Sequence, residues 1–167
     1  MDPNGPMIDW IRGWIQHYHP TKYWKYRAKV VDPNCKYPKW IKLLMLFYIK
    51  RCDAFNNASM GTNINQGAHF QTPPELPHGL NGIIIHYKAS IGENCTIYQQ
   101  VTIGGKNSKA AKIGNNVSIG AGAKIIGGVK IGNKSHVARG VILDDRNPDL
   151  IEIGNGVAIT SGVMILC

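Results

Sequence analysis

An aliphatic residue falls on every sixth position from Ile85 to Leu143, with one interruption. The series is Ile85, Ile91, Ile97, Ile103, then Ile113, Ile119, Ile125, Ile131, Val137 and Leu143, and it resumes at Ile153, Ile159 and Ile165. Two residues before most of these stands a small or apolar residue: Ala89, Cys95, Val101, Val117, Ala123, Val129, Ser135, Val141, Val157 and Val163. Gly follows the aliphatic at 92, 104, 114, 120, 132 and 154. Apolar spacings of two and then four cannot share one face of a helix. They fit short strands that each point two side chains inward and end in a turn, which Gly is expected to enter at positive φ. A fixed hexad period marks a parallel β-helix, so the chain is read as a solenoid.

A chain of 167 residues suffices for one domain with a continuous core. Its 44% hydrophobic content argues against disorder and against a membrane protein. No apolar run is long enough to span a bilayer, and no basic start leads into an apolar stretch, so neither a membrane span nor a signal peptide is expected. Cys35, Cys52, Cys95 and Cys167 lack close pairing and metal-ligand spacing. Cys95 falls on an inward position, where a thiol acts as a small apolar filler. A reducing cytoplasm is the simplest setting.

The net charge of +9 is unevenly spread: residues 1–53 carry ten Lys/Arg against four Asp, the remainder nine against six acidic residues. Such an excess attracts nucleic acid, anionic lipid or a phosphorylated ligand. Without any RNA- or DNA-binding motif, nucleic acid is the weakest of these. Residues 1–53 are also crowded with aromatics. Two helices are expected, roughly 6–17 and 38–51, joined by an irregular piece punctuated by Pro20, Pro33 and Pro38. They would cap the solenoid, which takes 54–167, or rest as a basic amphipathic element on a membrane surface.

The period extends back through Ala54, Ala58, Met60, Ile64, Gln66 and Phe70. It breaks at 72–82, 105–112 and 144–152, and a solenoid carries such insertions as corner loops, often on its working face. Only the first contains a histidine. The strand that ends at Cys167 calls for cover by a neighbouring subunit, by the N-terminal segment, or by further chain beyond a shortened end.

Leu76-Pro-His78, Gly82-Ile-Ile-Ile, Ile91-Gly-Glu-Asn, Val101-Thr-Ile-Gly-Gly105, Lys112-Ile-Gly and Ile119-Gly-Ala-Gly-Ala-Lys-Ile125 together resemble the hexapeptide-repeat acyltransferases over about 54–143. The nearest branch is that of serine acetyltransferase and its relatives in surface-polysaccharide synthesis. The resemblance implies a left-handed parallel β-helix, mainly β with a short N-terminal helical segment. It also implies a trimer, with acetyl-CoA as donor, a hydroxyl as acceptor and no metal. His78 matches the family's general base, with one residue of slippage in the Gly79–Gly82 loop. An imidazole with its ordinary pKa near ~6.5 accepts a proton at neutral pH.

His86, in a slot usually held by Gly, is the competitor for that role; His69 and His136 read as exposed rung residues. Gly104 and Gly105 match a Gly-Gly turn whose N–H groups face the oxyanion and the pantetheine arm. Lys112 and Lys124, with Lys106 and Lys109, are candidates for the phosphates of CoA. Ala121 and Gly122 are small enough to line its groove, and Glu75 could orient His78 or contact the acceptor.

Serine acetyltransferases carry Asp where Pro77 stands and a His before the coil restart, where Ala110-Ala111 stands. These departures, with the short N-terminal segment, shift the expected acceptor from serine towards a sugar hydroxyl on a saccharide intermediate, with serine as the alternative. A three-histidine carbonic anhydrase and a non-catalytic scaffold subunit are the competing classes on the same fold.

Overall fold

The computed structural model describes residues 6–144, 147 and 150–167. Three helices precede the solenoid: α1 (Pro6–Ile15), α2 (Pro20–Val31) and α3 (Lys39–Phe55). α2 occupies what the sequence presents as an irregular connection. Pro20 begins this helix instead of interrupting one, because a first-turn residue has no intrahelical use for its N–H. α3 runs to Phe55, so Ala54 belongs to a helix and the first rung contact is the bridge from Ser59 to Ile84.

Beyond α3 the chain winds through about four turns with three parallel faces. The first face joins β3 (His69–Phe70), β5 (Ser90–Ile91), β10 (Lys112–Ile113), β13 (Lys130–Ile131) and β16 (Glu152–Ile153). The second joins β6 (Thr96–Ile97), β11 (Ser118–Ile119), β14 (His136–Val137) and β17 (Ala158–Ile159). The third joins β4 (Ile84–Ile85), β7 (Thr102–Ile103), β12 (Lys124–Ile125), β15 (Ile142–Asp144) and β18 (Met164–Leu166). The aliphatics of the series stack in columns: Ile91 pairs with Ile113, Ile97 with Ile119, and Ile103 with Ile125. Ile91, Ile97, Ile103, Ile119 and Ile125 are fully buried, and the smaller residues two positions earlier fill the corners between columns.

Turn length alternates. Thr102 pairs with Ile84, eighteen residues earlier, which is three hexads, and with Lys124, twenty-two residues later. The four additional residues form the antiparallel hairpin of β8 (Gly105–Lys106) and β9 (Lys109–Ala110), at the corner between the third and first faces. The hairpin of β1 (Thr62–Asn63) and β2 (Gln66–Gly67) falls at the equivalent corner two turns earlier. Ile64 and Gln66 thus lie in or beside a hairpin and are not rung positions. The third expected insertion, 144–152, lies partly outside the described residues.

Gly92, Gly104, Gly114, Gly120, Gly132 and Gly154 do not take positive φ, contrary to the expectation from sequence. The left-handed residues come two positions later, at Asn94, Asn116, Lys134 and Gly156 on one corner and Gln100, Gly122, Gly140 and Gly162 on another. The glycine after the aliphatic answers to crowding from the next turn. A Cβ on Gly92 would lie 2.2 Å from Asn115 Oδ1 and 2.6 Å from the Gly114 carbonyl oxygen. The intruding side chains form a ladder. Asn115 Oδ1 accepts from the Glu93 N–H, Asn133 Oδ1 from the Asn115 N–H, and Asn155 Oδ1 from the Asn133 N–H, at 2.7–2.9 Å.

The helices are fastened to the first turn by buried polar groups. Arg27, 3% exposed, donates to Thr62 Oγ1 and to the carbonyls of Met60 and Ala68, and its guanidinium lies 4.5 Å from the Phe70 ring centre. Burial lowers its pKa to about 10, still charged at neutral pH. The Tyr23 hydroxyl donates to Asp53 Oδ1 at 2.7 Å, while Asp53 Oδ2 has no hydrogen-bond partner among the described residues. A carboxylate buried with so few donors favours its neutral form, and desolvation raises the pKa of Asp53 to about 6.

Candidate active site

The solenoid's corner between its second and third faces carries the candidate base. After Glu75 bridges to Thr96, the chain leaves the rung pattern for several residues and returns at Ile84. His78 is exposed at the crest of this loop. Gly79 and Gly82 let the loop turn, with φ of 64° and 65°. α3 holds its far end, because the Gly82 N–H donates to the Asn56 carbonyl at 2.8 Å. Near its start, a Cβ on Gly79 would lie 3.2 Å from Gln16 Oε1, so the chain after α1 packs against the loop. The N-terminal segment therefore does more than close the end of the stack. α1, α2 and the Leu76–Gly79 loop enclose a cleft of about 1190 Å³, lined in part by Trp10, Tyr18, His19, Lys22, Lys25 and Pro77.

Below His78 on the same corner stand Tyr98, Gln99 and Gln100. The rings of His78 and Tyr98 are 6.1 Å apart between centres. Among the described residues no hydrogen bond holds the His78 imidazole, so its orientation in this chain comes from packing alone. Gln99 Oε1 is buried without a hydrogen-bond partner among the described residues, and Gln100 takes φ of 60° where the corners below use Gly122, Gly140 and Gly162. Reading the sequence by columns would have found this trio: it is the one corner of its kind that breaks the glycine rule.

Ala121 and Gly122 occupy the next corner down. The Gly122 N–H donates to the Gln99 carbonyl at 3.0 Å, and a Cβ on Gly122 would meet nothing within 4 Å. That edge is open beside the backbone, which suits a narrow chain laid along it. Lys124 follows on β12 with its side chain exposed.

The other candidates lie elsewhere in the single chain. Gly104 and Gly105 are at the corner between the third and first faces, across the third face from His78. The Gly104 N–H donates to the Ile125 carbonyl at 2.8 Å, so it is occupied by the neighbouring turn and does not face an oxyanion. Gly105 makes room for the competing histidine: a Cβ there would lie 2.7 Å from His86 Nδ1. His86 Nδ1 also accepts from the Lys88 N–H at 3.2 Å. Lys112 is exposed on the first face, in register with Ser90 and Lys130. Glu75 does not turn to His78; its carboxylate accepts from the Thr96 hydroxyl at 3.2 Å on the second face. His69 and His136 are on the first and second faces, and among the described residues no three of His, Cys, Asp and Glu converge as a metal site would require.

Residues 110–145 match the family described as bacterial transferase hexapeptide (six repeats). The chain is 36% identical over 112 residues to a serine acetyltransferase of Synechococcus elongatus, an alignment covering 63% of this chain and 46% of that one. Over 88 residues it is 40% identical to a serine acetyltransferase of Staphylococcus aureus, covering 50% and 41% respectively. Among solved structures it resembles soybean serine acetyltransferase complexed with serine, with a TM-score of 0.57 and 25% identity over 84% of this chain and 50% of that one. The chain thus spans about half the length of the relatives it matches. Its fold is the left-handed parallel β-helix expected from the sequence.

Proposed function

We propose that the chain is a hexapeptide-repeat O-acetyltransferase that moves acetyl from acetyl-CoA to an acceptor hydroxyl. The observation that carries this reading is a solvent-facing His78 raised on a stiff loop, on the same edge as the open Ala121–Gly122 groove. The acceptor oxygen attacks the thioester carbon as the imidazole takes its proton; the C–S bond then breaks, and the CoA sulfur leaves and is protonated. Such general-base assistance contributes about 10²–10⁴-fold.

The groove suits the pantetheine arm, and the exposed Lys124 suits a phosphate of CoA as a point charge. Lys112 and Gly105, on other parts of the triangular coil, reach the same donor only from a neighbouring copy. A homotrimer, with donor sites between subunits, reconciles the two groups of residues.

L-Serine leads as acceptor, because the relatives carry the name serine acetyltransferase. The motifs read from sequence were nearer to the surface-polysaccharide branch, and this order is accordingly reversed. A sugar hydroxyl is the second reading, favoured by the roomy, aromatic-walled cleft that Pro77 and Gly79, the chain neighbours of His78, help to line.

The test is release of free CoA thiol from acetyl-CoA with L-serine or with a panel of saccharides. Turnover with serine alone supports the leading acceptor, and turnover with a saccharide alone supports the second. No acceptor-dependent release, together with no thermal shift on adding CoA, refutes the transferase reading in favour of a scaffold subunit. A ligand at 100 times its Kd stabilises by about 2.7 kcal/mol, which a melting curve resolves.

A further inference from the structure

The large apolar side chains left uncovered are concentrated on the helices. On α3, Trp40, Leu43, Leu44 and Phe47 follow the spacing of one helical stripe and are 63%, 49%, 63% and 71% exposed. Phe55, two turns further along the same line, is 58% exposed. On α1, Trp10, Trp14 and Ile15 are 61%, 67% and 64% exposed. The two sets adjoin, since Trp14 lines the same hollow as Tyr48 and Arg51, and the His17 ring stacks on Phe55 at 3.8 Å. This apolar surface is not waiting for the solenoid. The opposite sides of α2 and α3 already meet it through Tyr23, Arg27, Val30, Lys42, Ile49 and Cys52, all buried.

Cations surround the patch. Lys22, Lys25, Lys39, Lys50 and Arg51 are exposed, whereas the acidic residues of the three helices and their links are Asp53, buried, Asp32, half-buried, and Asp9 on α1. We propose that this face docks on an anionic lipid surface, with its tryptophans and Phe47 at headgroup depth and its lysines against the lipid phosphates. Charge decides between occupants. Two copies of the chain meeting through this face would oppose five exposed cations to five with few carboxylates to pair them, while an anionic bilayer supplies the missing charge. Tryptophan at the rim of an apolar stripe also fits a membrane–water boundary. The attachment is peripheral: among the described residues no helix is long and apolar enough to cross a membrane. The proposal is independent of the acyl-transfer reading.

Co-sedimentation of the full chain with vesicles of phosphatidylcholine, alone or mixed with phosphatidylglycerol, tests it. The protein is expected to pellet with the mixed vesicles, less so as salt rises, and to leave the neutral ones largely free. Leu44→Glu with Phe47→Glu, both at exposed positions, should abolish pelleting while the melting temperature and CoA-thiol release stay unchanged. Lys39→Ala with Lys50→Ala should weaken partitioning roughly 25-fold, at about fivefold per lysine near an anionic surface. Wild-type protein that ignores the mixed vesicles, or a Leu44→Glu/Phe47→Glu variant that still pellets, overturns the proposal. So does light scattering in which that double change splits a larger assembly while vesicles go unbound, which would mark the face as a contact between copies.

Discussion

Replacing Asp53 by Asn should change how stability depends on pH, by an amount the structure fixes. Asp53 is 3% exposed, receives one hydrogen bond from Tyr23 and leaves Oδ2 unpaired among the described residues. Its pKa rises from the usual 3.8 to about 6 on folding, chiefly through desolvation. Below the unfolded value the carboxyl is protonated in both states and costs nothing. Between the two values the native state holds the proton more tightly than the unfolded chain, so rising pH erodes stability. Above about 6 the loss is complete, and a shift of roughly two units corresponds to about 3 kcal/mol at 1.36 kcal/mol per unit. Asn keeps an acceptor for Tyr23 and never ionises. Urea denaturation of both proteins between pH 4 and pH 8 isolates this group, because the other titrations cancel in the difference. Relative to wild type, Asp53→Asn should gain a little over ~2 kcal/mol between pH 4 and pH 8, nearly all of it before pH 7, the rest of the difference lying below pH 4 where the unfolded carboxyl titrates. A difference that does not move with pH would refute the assignment of a raised pKa to Asp53, and with it the dry environment drawn for the α2–α3 contact.

Gly92→Ala should destabilise by about 1–3 kcal/mol or more, because the added carbon meets Asn115 Oδ1 and the Gly114 backbone, whereas Gly122→Ala enters open space and costs about 1–2 kcal/mol for positive φ alone; thermal melts showing Gly122 to be the more sensitive site would contradict this. Asn133→Ala removes the acceptor for the Asn115 N–H and should cost about 1 kcal/mol in urea melts, with a larger loss of amide exchange protection at Asn115 than elsewhere.

How far the sequence revealed this molecule can be judged residue by residue. The hexad series places Ile91, Ile97, Ile103, Ile119 and Ile125 in the core, because an alternating strand leaves an inward aliphatic no other place to go. The same series misassigned its glycines. A period reports that a position is special but not whether φ or a neighbour's bulk makes it so, and at Gly92 it is the Asn115 side chain one turn away. α2 was hidden because Pro20 reads as a breaker unless its place at a helix start is known. In the candidate site, His78 stood out as the one histidine in an insertion, and the structure shows it exposed on that loop. Glu75 looked close to it along the chain yet bonds to Thr96, since a single bridging residue puts the two on different sides of a corner. Gly104 and Gly105 likewise belong to another corner, a separation that follows from register and not from spacing.

The acyl-transfer account stands or falls most directly on His78. Wild-type protein and His78→Ala should be compared for CoA-thiol release with the productive acceptor, and for CoA binding by thermal shift in the same preparation. Loss of the base is expected to lower kcat by about 10²–10⁴-fold while the CoA-induced shift is retained. Turnover that survives the change would contradict a role for this imidazole in proton removal.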